Sequence, residues 1–156
     1  MNVKGNPGWQ VLVVDDEPTV RKAVKMLLEH DGHHAETVDS GEAALAVLKH
    51  RQFDLIITDF SMPGMKGDQL VARIKKQLPD QPIIMATAFV DEFKIFGRPE
   101  GGVDLLLHKP FSLDDLRDAV AQVLAGKNPV ADGSLSIVAN PPPPKKFIPP
   151  TKPQRE

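Results

Sequence analysis

The chain has 156 residues, 41% of them apolar, which is enough for one domain with its own core plus an appendage. No segment approaches the ~20 consecutive apolar residues of a membrane helix, Met1 to Pro7 lacks the apolar stretch of a secretory signal, and the absence of cysteine excludes disulfide and thiolate chemistry, so the expected location is the cytoplasm. The net charge of −2 divides into about +3 for residues 127–156 and about −5 for the rest; an acidic body without a basic stripe argues against direct nucleic-acid binding.

Gln10 to Val14 is the first predicted strand, and it runs into Asp15-Asp16-Glu17. Pro18 falls in the first turn of a helix, where its missing N–H is tolerated, and Val20, Val24, Leu27 and Leu28 recur at helical spacing until Asp31-Gly32 ends the helix. His34 to Val38 forms a short second strand. Ser40 is an N-cap for a helix over Glu42 to His50, with Ala44, Leu45 and Leu48 on one face. The run Phe53-Asp54-Leu55-Ile56-Ile57-Thr58-Asp59-Phe60 is a third, buried strand. The turn formers Ser61 to Gly67 follow it, so Asp59 stands at a loop rim at the strand's carboxyl end, where open α/β sheets carry their chemistry.

Leu70, Val71, Ile74 and Leu78 mark a helix of about ten residues closed by Pro79. Pro82 opens a fourth strand, Ile83 to Thr87. Asp91 to Phe96 has the length of one short helix, interrupted by Gly97, Pro99, Gly101 and Gly102; its apolar side chains serve either core packing or a partner. Asp104 to His108 is the fifth strand. It leads through Lys109-Pro110-Phe111 to Ser112, the N-cap of a helix carrying Leu113, Leu116, Val120, Val123 and Leu124 and ended by Gly126. Alternation of β and α segments predicts a parallel sheet covered on both faces with right-handed crossovers. Residues 1–8 read as an extension and 9–126 as the domain. Residues 127–156, with eight of the 15 prolines, read as a disordered tail, either an inert tether or a ligand for an aromatic groove.

Parallel strands bring Asp15, Asp16, Asp59, Thr87 and Lys109 to one edge. Two carboxylates ~4 Å apart repel by about 4 kcal/mol at an effective dielectric of 20, so three require a counter-charge or protons. Oxygen-only ligands with room for water suit Mg²⁺. Lys109 can hold an anion opposite the metal, a clamp suited to a transferring phosphoryl group. Asp59, alone at its strand end, is the candidate nucleophile, and the hydroxyl of Thr87 can donate to a phosphoryl oxygen. The five histidines show no metal-ligand spacing.

Four stretches, Val13-Val14-Asp15-Asp16-Glu17-Pro18, Thr58 to Gly67, Ala86-Thr87-Ala88 and His108-Lys109-Pro110-Phe111, together resemble the receiver domain of bacterial two-component response regulators over residues 9–126. The resemblance implies a flavodoxin-like, doubly wound five-stranded sheet of order 2-1-3-4-5. It also implies phosphoryl transfer to Asp59 from a histidine kinase or a histidine phosphotransfer protein, and Mg²⁺ held by Asp15, Asp16, Asp59 and the main-chain carbonyl of Ser61. It further implies contact of Thr87 and Lys109 with the phosphoryl group, and a cis Lys109-Pro110 bond.

Two positions depart from the family pattern. Leu106 stands where the family usually carries an aromatic switch partner for Thr87. Phe89, two residues past Thr87, offers nothing to orient an attacking water, which predicts a long-lived acyl phosphate. The expected function is a stand-alone receiver, itself not an enzyme, that signals by binding a downstream protein, with a homodimer among the assemblies open to it and no membrane contact. The rivals are an unphosphorylated scaffold of the same fold, a flavin mononucleotide carrier, and an aspartate-nucleophile phosphatase of the haloacid dehalogenase type. In the last of these, Glu17 would stand where a second aspartate is required.

Overall fold

A computed structural model describes residues 8–88, 102–125 and Lys127. Its five strands, β1 (Gln10–Val14), β2 (His34–Val38), β3 (Leu55–Asp59), β4 (Ile83–Thr87) and β5 (Leu105–His108), form one sheet in the order β2-β1-β3-β4-β5. All four pairings are parallel. The described helices are α1 (Pro18–His30), α2 (Gly41–Leu48), α3 (Gly67–Gln77) and α4 (Leu113–Leu124). The expected short helix over Asp91 to Phe96, Phe89 and the proline-rich tail lie outside the described residues.

Successive side chains of a strand point to opposite faces, so each central strand must be apolar throughout to be covered on both sides. Val11, Val13, Leu55, Ile57, Ile84, Ala86 and Leu107 form one core with Val24, Leu27 and Leu28 of α1 and Leu116, Val120 and Val123 of α4. The alternate residues Leu12, Val14, Ile56, Ile83 and Met85 form the other, with Ala44 of α2 and Leu70, Val71 and Ile74 of α3. The two cores grip the sheet from opposite sides and fix the height of its strand ends.

The helix starts follow local chemistry. Pro18 takes the first position of α1. The Ser40 hydroxyl accepts the Ala43 N–H at 3.1 Å. Ser112 and Asp115 cap α4 reciprocally, at 3.0 and 2.9 Å. Gly32, with φ of 90°, makes the left-handed turn after α1, and the His33 N–H returns to the Leu28 carbonyl at 2.9 Å.

Several boundaries differ from expectation. α2 stops at Leu48, short of His50, with Lys49 as its cap. α3 stops at Gln77; Leu78 turns out at φ −129° and ψ 74° ahead of Pro79 and is 41% exposed instead of joining the buried face. The end of α4 agrees with expectation: Leu124 is its last residue and Ala125 its cap, directly ahead of Gly126. β3 starts at Leu55, and the Asp54 carboxylate ahead of it accepts the Gln10 N–H at 2.7 Å; β5 starts at Leu105, and the Asp104 carboxylate ahead of it accepts the Ile83 N–H at 2.8 Å. Each acid takes up a donor at the sheet's amino edge.

Removing the α2 cap with Ser40→Ala leaves the Ala43 N–H without its side-chain acceptor. The expected loss is about 1 kcal/mol, read as a lower urea midpoint at unchanged slope.

Candidate functional site

Parallel pairing sends the carboxyl ends of β1, β3, β4 and β5 to one edge. Val14 pairs with Thr58, so Asp15 stands level with Asp59. Asp59 in turn pairs with Ala86, and Thr87 with His108, which is followed by Lys109. Side chains far apart in sequence are thus placed side by side by strand register alone.

Asp15 and Asp59 are buried, at 4% and 6% exposure. One carboxylate oxygen from each of Asp15, Asp16 and Asp59 lies within 4.8 Å of the others. Among the described residues this is the one such group, and no histidine belongs to one. The Lys109 ammonium reaches between two of the acids, 3.2 Å from Asp59 Oδ1 and 3.4 Å from Asp15 Oδ2. It is held there by its own backbone, whose N–H donates to the Thr87 carbonyl at 2.8 Å, and the Lys109-Pro110 bond is cis. Thr87 itself is buried at the end of β4.

Burial pushes the Asp59 carboxyl above the usual carboxylate range; Lys109 pulls it down, Asp15 adds to the rise, and the Ser61 N–H donated to it works with Lys109. For Lys109, burial works against the charged form, yet Asp15 and Asp59 overcome it and raise the ammonium's pKa. One ammonium against three carboxylates leaves a negative surplus that is partly shut off from water. The donor set fits a hard divalent cation, since it is made of oxygens alone with no nitrogen or sulfur ligand.

Supporting contacts fix these groups in ways the sequence reading had missed. Asp15 Oδ1 accepts the Glu17 N–H at 2.9 Å, and the Arg21 guanidinium holds the Asp15 carbonyl at 2.6 Å. Glu17 is itself exposed and outside the acid group, which removes the second acid that the phosphatase reading required. Met62 and Met65 bury their side chains in the second core and pin the loop after Asp59. Gly67 packs so tightly on the main chain of Asp59 and Phe60 that a Cβ there would overlap the Asp59 carbonyl and come within 2.8 Å of Phe60 Cα. Leu106 is half-buried against the second core, and residues 89–101, which follow β4, lie outside the described set. In the sequence Gly67 closes a turn-forming run and the Thr58 to Gly67 stretch that resembles receivers, and neither signal names the backbone it packs on.

A match to the response regulator receiver domain family spans residues 11–121. The chain belongs to that family. This receiver is 34% identical over 121 residues to chemotaxis protein CheY-3 of Vibrio cholerae, covering 76% of the present chain and 93% of that protein. It is 38% identical over 132 residues to response regulator protein FleR of Pseudomonas aeruginosa, covering 82% of the present chain but only 28% of FleR. Among solved structures it resembles response regulator TrrA of Thermotoga maritima, determined in complex with Mg(2+)-BeF, at a TM-score of 0.67 and 33% identity over 73% of this chain and 97% of that one. Receiver domains as a family signal by phosphorylation, are phosphorylated by sensor histidine kinases and bind Mg²⁺ at an acidic pocket.

Two outcomes test this geometry. A carboxyl with a raised native pKa binds more protons folded than unfolded, so its contribution to stability falls as pH rises from the ordinary carboxylate value through the raised one. Without divalent cations, the melting temperature of Asp59→Asn minus that of the wild type should therefore grow across that window and level off above it; a difference that does not change with pH would mean that Asp59 is not strained by its site. Gly67→Ala should lower the melting temperature by several degrees and weaken Mg²⁺-induced stabilisation, because the clash is with the backbone that carries Asp59.

Proposed function

We propose that the chain is a receiver that accepts a phosphoryl group on Asp59 from a histidine kinase or a histidine phosphotransfer protein and signals through phosphorylation-dependent binding of a downstream protein. The observation that carries this reading is Lys109 Nζ, 3.2 Å from Asp59 Oδ1 and 3.4 Å from Asp15 Oδ2, at the edge of a site with a surplus of carboxylates. A metal-binding scaffold has no need of an ammonium beside its acids, but transfer of a phosphoryl group does.

In the proposed step an Asp59 carboxylate oxygen attacks phosphorus, the phosphorus–nitrogen bond of the donor phosphohistidine breaks, and its electron pair returns to the imidazole nitrogen. An acyl phosphate results. Lys109 pairs with the phosphoryl oxygens as they leave the donor, while Thr87 donates its hydroxyl to one of them. Mg²⁺, held by Asp15, Asp16, Asp59 and the main-chain carbonyl of Ser61, supplies neutralising charge to the phosphoryl oxygens when bound. Burial of Asp59 and Asp15 supports this reading, because a nucleophile and a clamp act more strongly with water held off. The TrrA complex with Mg(2+)-BeF lends support from a relative of the same fold.

The downstream response in this reading uses Thr87 and Leu106. Drawn toward the new phosphoryl group, the Thr87 side chain vacates volume beside β5, and the half-buried Leu106 follows into it. An aliphatic side chain repacks without exchanging a hydrogen bond, so the output surface changes in shape more than in polarity.

Incubated with acetyl phosphate and Mg²⁺ and weighed intact, the wild type should gain one phosphoryl group and Asp59→Asn none. Lys109→Ala should be phosphorylated at least about tenfold more slowly, and chelation of the metal should stop the reaction. Equal labelling of Asp59→Asn and wild type would end the assignment.

A further inference from the structure

A second built surface lies far from Asp59. Crossover helices run back along the sheet, so their carboxyl ends sit at the edge opposite the acid cluster. There, α2 and α3 border a cleft of about 290 Å³ with a floor of Leu45, Leu48, Ile74 and Leu78 and a rim of Lys49, Arg73 and Lys76. No acid lines it. Among the described residues Lys49, Arg73 and Lys76 form no ion pair, whereas neighbouring Lys75 is tied to Asp104 at 3.5 Å and to the Gln81 carbonyl at 2.6 Å. Leu78, an apolar residue at helical spacing that the chain turns outward, is one of three large apolar side chains left exposed among the described residues.

We propose that this cleft is a docking site for an acidic amphipathic helix of a partner protein, seated with leucine-type anchors on Leu78 and Leu48 and with its carboxylates against Lys49, Arg73 and Lys76. The charge pattern argues for that occupant: on a body with net negative charge, three cations around an apolar floor select an apolar segment with acidic flanks and repel a basic one. The volume is below the roughly 300–1,000 Å³ of small-molecule sites, which suits inserted side chains, and a trough between two helices is the setting of helix-in-groove recognition. A nucleic acid or an anionic membrane would use the cations but not the apolar floor. Docking in the unphosphorylated chain does not depend on the residue at position 59, because none of the residues that line the cleft belongs to the acid group or to its Lys109 clamp.

The test uses the full chain and a fluorescein-labelled synthetic helix with leucine at positions i, i+4 and i+7 and glutamate on its flanks. Fluorescence anisotropy should show saturable binding to wild type and equally to Asp59→Asn, weakened at least about tenfold by Leu78→Asp and by the double change Arg73→Glu with Lys76→Glu. A lysine-flanked version of the peptide should not bind. A cooperative thermal melt by circular dichroism, retained in both cleft variants, certifies that they are folded; Leu78→Ser serves in place of Leu78→Asp if that protein fails this check. No binding by the glutamate peptide, equal binding by the cleft variants, equal binding of polyglutamate, or stronger binding of duplex DNA or phosphatidylserine vesicles would each overturn the proposal.

Discussion

The structure depends on holding like charges together at one edge of a sheet. Asp15 and Asp59 are almost removed from water with Asp16 beside them, and a single ammonium stands against the three. Repulsion between adjacent carboxylates of about 4 kcal/mol at an effective dielectric of 20 is comparable with a large share of a domain's whole stability. Such a site persists only if the surrounding fold cannot relax to separate its members. The strand register supplies that rigidity: Asp15 and Asp59 are fixed at one level by the pairing of Val14 with Thr58, and a one-residue slip of either strand would exchange the side chains around which the two cores are packed.

The same requirement explains the contacts around the site. Arg21 and the Glu17 N–H hold the main chain and carboxylate of Asp15, the Thr87 carbonyl holds the backbone of Lys109, and Met62, Met65 and Gly67 hold the loop that leaves Asp59. None of these groups adds to the surplus of negative charge. They restrict movement, which is what a preorganised electrostatic site needs from its neighbours.

Much of this was legible beforehand. The apolar runs Val11 to Val14, Leu55 to Ile57 and Ile83 to Met85 state a doubly covered sheet through their composition, and their strands lead to the polar groups of Asp15, Asp59 and Thr87. Order and sheet topology agree with the resemblance to receivers. Less legible were features that depend on distance across the fold. Nothing local distinguishes Gly67 from the other turn formers, since its constraint is the backbone of Asp59 lying against it. Leu78 fits the helical period of Leu70, Val71 and Ile74, but Pro79 turns the chain before that period completes, so periodicity alone assigned it to the wrong side. Asp54 and Asp104 look like interruptions of strand patterns until the donors that they accept from, on β1 and β4, are seen beside them.

Those last two acids clarify what is unusual about the cluster. At the amino edge of the sheet, each carboxylate meets a strand-opening N–H, and Asp104 also meets Lys75; a donor answers each acid, and a cation answers the second. At the carboxyl edge the chain again uses aspartate, but with three acids to one ammonium and with burial raising the pKa of Asp59. Identical side chains on one sheet therefore differ in what they can do according to whether their neighbours satisfy them. Structural acids end in matched donors, whereas Asp15, Asp16 and Asp59 outnumber the one ammonium beside them and call for a further cation, which is the chemical difference between the two edges of this sheet.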